Sequence, residues 1–193
     1  MSIANDPFIG QCLSGTQSVD ITSEIDHTSL TDAVNDVYFA LGADAVKFNY
    51  TFDRQMSFEE TLQMLCRHCF LIPYRQGNKF KFTADIPITN PSMLFNHRNI
   101  LPETEKRSLN IAPRDNDGVE VAFIDYDTGL EDYVFIPSDR TAKNPKKIRF
   151  PGCRYKNVAY WHAAREYNKI KYHNYHISFT ATTEAALIRP FDL

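Results

Sequence analysis

The residues best suited to chemistry are Cys66, Arg67, His68 and Cys69, a Cys-x-x-Cys with a histidine inside it. Thiolates at this spacing ligate zinc or cycle as a redox dithiol. Zinc asks for about four ligands, and the chain offers no second Cys-x-x-Cys and no His-x-x-x-His. A redox pair belongs at a helix N-terminus, where the dipole lowers the thiol pKa. Here both cysteines fall at the C-terminal end of an apolar periodicity, on the face of Leu62 and Leu65. They read as core packing, cysteine being a small hydrophobe.

Two further clusters read the same way. Asp125-Tyr126-Asp127-Thr128-Gly129 opens like a calcium loop, but Gly129 occupies a ligand position, Leu130 the glycine position and Ile136 the final glutamate position. The signature fails at three fixed points, leaving a hairpin turn. His162, His173 and His176 lie close in sequence, yet the last two, three apart on a predicted strand, point to opposite faces and share no ligand. Glu59 and Glu60 sit where acids complement a helix N-terminus. No phosphate-loop, dinucleotide, nucleophile-elbow or His-Glu-x-x-His motif is present, and seven glycines in 193 residues leave little material for a phosphate cradle. Nothing in the sequence points to an enzyme or to a cofactor.

Charge is the remaining signal. Residues 1–100 carry 7 basic and 11 acidic residues, whereas Lys143 to Lys171 holds nine basic residues against the single acid Glu166. Lys143, Lys146, Lys147, Arg149, Arg154 and Lys156 therefore form a candidate patch for DNA or an acidic partner, or else a solvated surface beside an acidic neighbour. The overall charge of −3 excludes a globally basic nucleic-acid binder. Fourteen Phe and ten Tyr exclude disorder and favour strand-rich packing. Four cysteines are too few and too scattered for a disulfide framework, which makes a reducing compartment the default. No stretch has the ~20 apolar residues of a membrane helix, and the first thirty residues lack a signal-peptide pattern.

These side chains are positioned by two runs of elements. A helix is expected to begin after Ser29, with Asp32 as its capping-box acid and Gly42 closing it; a β-like stretch, Ala45 to Phe52, follows. Ser57 and Glu60 form a second capping box, ahead of a face made by Phe58, Leu62, Leu65, Cys66 and Cys69. Residues 71–84 read as a hairpin backed by that helix, and 85–117, dense in proline and asparagine, as the internal boundary. Val119 to Tyr126 and Glu131 to Ile136 form a hairpin, and Lys146 to Phe150 a short strand. Asn157 caps a helix running to about Asn168 with Val158, Trp161 and Ala164 inward, and Tyr175, Ile177 and Phe179 alternate as a half-buried strand. The class is α+β: an N-terminal segment 1–29, a helix-plus-hairpin module at 30–90, a linker at 91–117 and a second module at 118–193. Its abrupt apolar end suggests a fragment of something longer.

The order of these elements resembles the central region of phage tail tip attachment proteins of the protein J kind, a baseplate hub family. The resemblance runs over roughly residues 20–193. It is carried by Phe48-Asn49-Tyr50-Thr51-Phe52, the helix Ser57 to Cys69, Phe82-Thr83-Ala84-Asp85-Ile86-Pro87, and Pro91-Ser92-Met93-Leu94-Phe95 followed by Asn99-Ile100. Val119 to Asp125, Phe150-Pro151-Gly152-Cys153, Ala163-Ala164-Arg165-Glu166 and Tyr175 to Ala181 continue it. It implies small β-barrel-like and α/β hub domains in a homotrimeric ring that closes the tail tube and joins it to host-recognition parts. It also implies a location at the virion tail tip after assembly in the bacterial cytoplasm, with distal tail and tape-measure proteins as partners and a host receptor met through further domains. The family's central region transfers no catalytic residue. The competing class is a nucleic-acid-binding module using residues 143–171.

Overall fold

The structure, a computed structural model, describes residues 24–52, 55–87, 92–109, 116–173 and 175–188. The chain divides into two compact units, Met1–Pro87 and Ile88–Leu193. Both mix helices with small open sheets, so the class is α+β; none of the described sheets closes into a barrel.

In the first unit, α1 spans His27–Leu41 and a single 3-10 turn, Ala43–Val46, follows it. The helix starts earlier than expected. Asp26 is the N-cap, its carboxylate accepting from the Ser29 backbone N–H, while the Ser29 hydroxyl accepts from the Phe82 N–H on a distant strand. Gly42 ends α1 with φ of 92°, a conformation glycine adopts without penalty. The strand expected over Ala45 to Phe52 is absent. Residues 47–52 run without strand pairing, and Phe48, Tyr50 and Phe52 form a ladder of rings 5.9 and 5.1 Å apart.

The second helix, α2, spans Phe58–His68 and has both halves of its capping box: the Ser57 hydroxyl accepts from the Glu60 N–H, and the Glu60 carboxylate accepts from the Ser57 N–H. It buries Phe58, Leu62, Leu65, Cys66 and His68. Phe70 turns the chain with φ of 52°; that costs about 1–2 kcal/mol for a side-chain-bearing residue, offset by full burial of its ring. Two antiparallel strands follow, β1 (Leu71–Gln76) and β2 (Lys79–Ala84), closed by Gly77 at φ of 64°. The helices α1 and α2 pack on β2 and β1 respectively.

The second unit holds a ribbon and a sheet. The predicted linker contains a strand, β3 (Lys106–Leu109), which pairs antiparallel with β7 (Tyr175–Ser178) across most of the unit's sequence. All eight ribbon residues are exposed, so β7 is not the half-buried strand the alternation suggested. The ribbon's other end is anchored by Leu101 N–H on the Thr180 carbonyl, Thr182 N–H on the Asn99 carbonyl, and the Phe95 and Phe179 rings 4.9 Å apart.

The three-stranded sheet has the order β5 (Glu131–Ile136), β4 (Gly118–Ile124), β6 (Pro145–Arg149). The β4–β5 pair is the expected hairpin, but β6 runs parallel to β4 on its other side. That parallel pair departs from a module built of antiparallel hairpins alone. The helix α3 spans Lys156–Tyr172 and covers one face of this sheet. Its N-cap is Tyr155, not Asn157, and its buried stripe is Val158, Ala159, His162, Ala163 and Glu166. Trp161, expected inward, is 41% exposed. Against that stripe lie Val119, Val121 and Phe123 of β4, all fully buried; each contributes roughly 1.5–3 kcal/mol by removal from water.

Candidate functional site

The cysteines settle first. Cys66 is buried in the last turn of α2 and Cys69 partly so. Burial pushes their thiols up to about 12 and about 11, so both are protonated at neutral pH. They pack against the interior, and neither is a ready thiolate nucleophile at neutral pH. His68 between them is buried, with Nε2 at 2.8 Å from the Lys47 carbonyl and its ring edge-on to Phe48. Burial holds its pKa below the ordinary value, keeping it neutral.

The other clusters are structural too. The Asp125 carboxylate accepts from the N–H groups of Asp127 and Thr128 and from the Thr128 hydroxyl, at 2.9–3.0 Å, while Gly129 takes φ of 67°. These bonds, the Thr128 N–H first, hold its pKa down, and they form a hairpin turn. His162 is buried and stacked on Phe150 with ring centroids 4.1 Å apart. His173 caps the C-terminal end of α3 while His176 lies on β7, so they do not share a strand.

The basic run is where the structure rearranges the sequence reading. Alternation along β6 sends Lys146 toward α3, and Lys147 and Arg149 to the opposite face. Lys146 Nζ meets the Glu166 carboxylate at 2.8 Å, and Lys169 Nζ meets its other oxygen at 3.0 Å. Burial alone would raise Glu166, but the two lysine hydrogen bonds outweigh it and hold the carboxyl at about 2. Lys143 opens the loop before β6, where its N–H and that of Asn144 are accepted by the Asp117 carboxylate at 2.7 and 2.8 Å. Arg154 supplies its carbonyl to the Tyr126 N–H at 2.9 Å. Lys156 begins α3, with Nζ 3.8 Å from Asp132. The six residues are therefore not one patch. Four face carboxylates, and one of those four, Lys146, meets a buried one, Glu166.

What the fold does assemble is the sheet face turned away from α3. Its rows, read across β5, β4 and β6, are Phe135–Glu120–Lys147, Tyr133–Ala122–Arg149 and Glu131–Ile124. Ala122 is the small residue at the centre. Above it runs a groove of about 320 Å³ lined by Glu120, Ala122, Tyr133, Lys147, Ile148 and Arg149. Lys147 lies 3.9 Å from Glu120, and Arg149 reaches across β4 to within 3.7 Å of Glu131. The Tyr133 hydroxyl donates to Glu131 at 3.1 Å, which raises the phenol's pKa. Arg140 lies over the Phe135 ring at 4.0 Å.

Sequence reasoning found Lys147 and Arg149 but not Glu120, Ala122, Tyr133, Phe135 or Arg140. The period-2 alternation of the β4–β5 hairpin carried the signal for the first four.

No protein-family model matches the chain, and no curated protein matches it.

Proposed function

We propose that this chain is a structural component of a phage or prophage tail tip, a baseplate hub piece that helps to close the tail tube and joins it to host-recognition parts. The observation that carries the reading is the β3–β7 ribbon. A two-stranded ribbon is marginal in water without a covering layer, and this one exposes Leu109, Tyr175 and Ile177 on one face beside Arg107. Such a face is more at home in an assembly than on an isolated domain. Phe39 and Leu94, about four-fifths exposed, support the same reading. The sequence resemblance to tail tip proteins, which rests on the order of these elements, supports the same reading. A homotrimer in the longer protein, with distal tail and tape-measure proteins as neighbours and a receptor met through further domains, completes the proposal.

The nucleic-acid reading fares worse. Lys146 is paired with the buried Glu166, and Lys147, Arg149 and Lys156 each have a carboxylate within 4 Å. Such pairs leave little net field beyond a Debye length of about 8 Å. The decisive experiment is immunogold electron microscopy of particles from cells encoding the chain, with the gene intact and deleted. Gold at the tail tip and incomplete tails on deletion would support the hub; normal, unlabelled tails would end it.

A further inference from the structure

We infer that the groove over Ala122 is a docking surface for an acidic protein segment that carries an aromatic or aliphatic side chain. The inference names the partner chemistry for the assembly reading, and it is carried by how the ion pairs of this face are layered. Lys147 is 76% exposed and its partner Glu120 only 16%; Arg149 is 70% exposed and Glu131 43%. Arg140 also stands exposed, above Phe135. Glu120 lies low against the strands while Glu131 is itself exposed, so an approaching surface meets the three cations Lys147, Arg149 and Arg140 against one open carboxylate.

Both outward pairs are long, at 3.9 and 3.7 Å, and exposed pairs of this kind contribute little. A carboxylate entering the groove can therefore take a cation over at small cost, and Arg149 can accept it with two parallel N–H donors. Between the cations and the Tyr133 ring, Ala122 leaves room for one apolar side chain. Tyr133 and Arg149, which line the groove, are of the residue types enriched at interfaces.

The same layering disfavours a polyanion. Duplex DNA carries one charge per ~1.7 Å of axis, so a backbone laid along Lys147 and Arg149 would also bring phosphates against the exposed Glu131. A peptide carboxylate has no such obligation, because its neighbours in sequence need not be charged.

The test is amide-resolved NMR on the full 193-residue chain. The probe is a synthetic acetylated, amidated pentapeptide, Glu-Glu-Tyr-Glu-Glu. Its Gln-Gln-Tyr-Gln-Gln counterpart and a 12-base-pair DNA duplex are run in parallel. Saturable shifts centred on Ala122, Tyr133, Lys147 and Arg149, and an affinity at least tenfold weaker in K147E/R149E, are expected. The single variant K147Q, checked for an unchanged urea midpoint, should weaken binding about threefold. Four results would overturn the inference: no saturable shift at millimolar peptide, equal shifts with the glutamine peptide, tighter binding of the duplex on the same amides, or concentration-dependent broadening of those amides without peptide, which would assign the face to a second copy. Any of these leaves the tail tip reading standing, since gold labelling of particles decides that separately.

Discussion

Protonating Glu166 should loosen the second unit over a defined acid range. Its carboxylate joins Lys146 of β6 to Lys169 one turn along α3, at 2.8 and 3.0 Å, and is itself buried. The carboxyl sits at about 2 in the folded chain against an ordinary 4.5. At about 1.4 kcal/mol for each tenfold change, the ceiling on its contribution is ~3 kcal/mol. Both lysines are about two-fifths exposed and screened by solvent, which brings the expectation to roughly 2 kcal/mol. Because the folded value is the lower one, the contribution is complete above pH 4.5 and disappears as pH falls from 4.5 toward 2. Glu166→Gln removes it at every pH. The assay is urea unfolding followed by fluorescence of Trp161, the only tryptophan in the chain and a residue of α3. At pH 7 the variant's midpoint should fall by about 1 M, taking a slope near 2 kcal/mol/M. Between pH 4.5 and 2.5 the two curves should converge. Asp117 and Asp125, also held below their ordinary values by backbone N–H bonds, titrate in both proteins and cancel in the difference. Parallel curves down to pH 2.5, or a variant as stable as the parent at pH 7, would refute the reasoning.

Three other substitutions or treatments have defined outcomes. A Cβ at Gly118 would lie 2.5 Å from the Ala142 Cβ and 2.8 Å from the Ile136 carbonyl, so Gly118→Ala should lose about 1–3 kcal/mol by urea unfolding; adding Ala142→Gly should restore part of it, and an unaffected midpoint would show that the loop yields freely. Ser57→Ala removes half of the α2 capping box and should cost about 1 kcal/mol, with faster amide exchange confined to the first turn of α2 as the signature. With Cys12 replaced by serine, the remaining cysteines should resist Ellman's reagent at pH 7.5 until urea unfolds the chain, since burial raises Cys66 to about 12 and Cys69 and Cys153 to about 11. Rapid modification of the native chain would contradict their burial.

Local signals were legible in the sequence where the partner lies within a few residues. Ser57 and Glu60 cap each other across one turn, and the Asp125 turn closes on its own N–H groups. Where the partner is distant, legibility failed in identifiable ways. Asp26 and Ser29 are both capping types, and what removes Ser29 from the role is Phe82, 53 positions away. Phe48, Tyr50 and Phe52 have a strand's period but no partner strand among the described residues, so their alternation is a ladder of rings. The stripe of α3 escapes a hydrophobic pattern because two of its members, His162 and Glu166, are polar by type; Phe150 stacks on one and Lys146 pairs with the other. The strand β3 has an unremarkable Lys-Arg-Ser-Leu sequence and a partner more than sixty residues on.

The basic run shows why a charge count cannot be read as a surface. Lys146-Lys147-Ile148-Arg149 is one cluster in sequence, and the two-residue period of β6 divides it between two environments. Lys146 is committed to Glu166 and through it to the packing of α3, so its replacement should act on stability. Lys147 and Arg149 stand on the open face, with exposures that exceed those of their carboxylates, so their replacement should act on binding and leave the unfolding midpoint nearly unchanged. A charge reversal applied to all three at once would confound the two effects. K147E/R149E and K146M made separately keep them apart, and the separation is itself a consequence of the strand: neighbours in β6 serve opposite faces, and the function of each follows from the face and not from the charge.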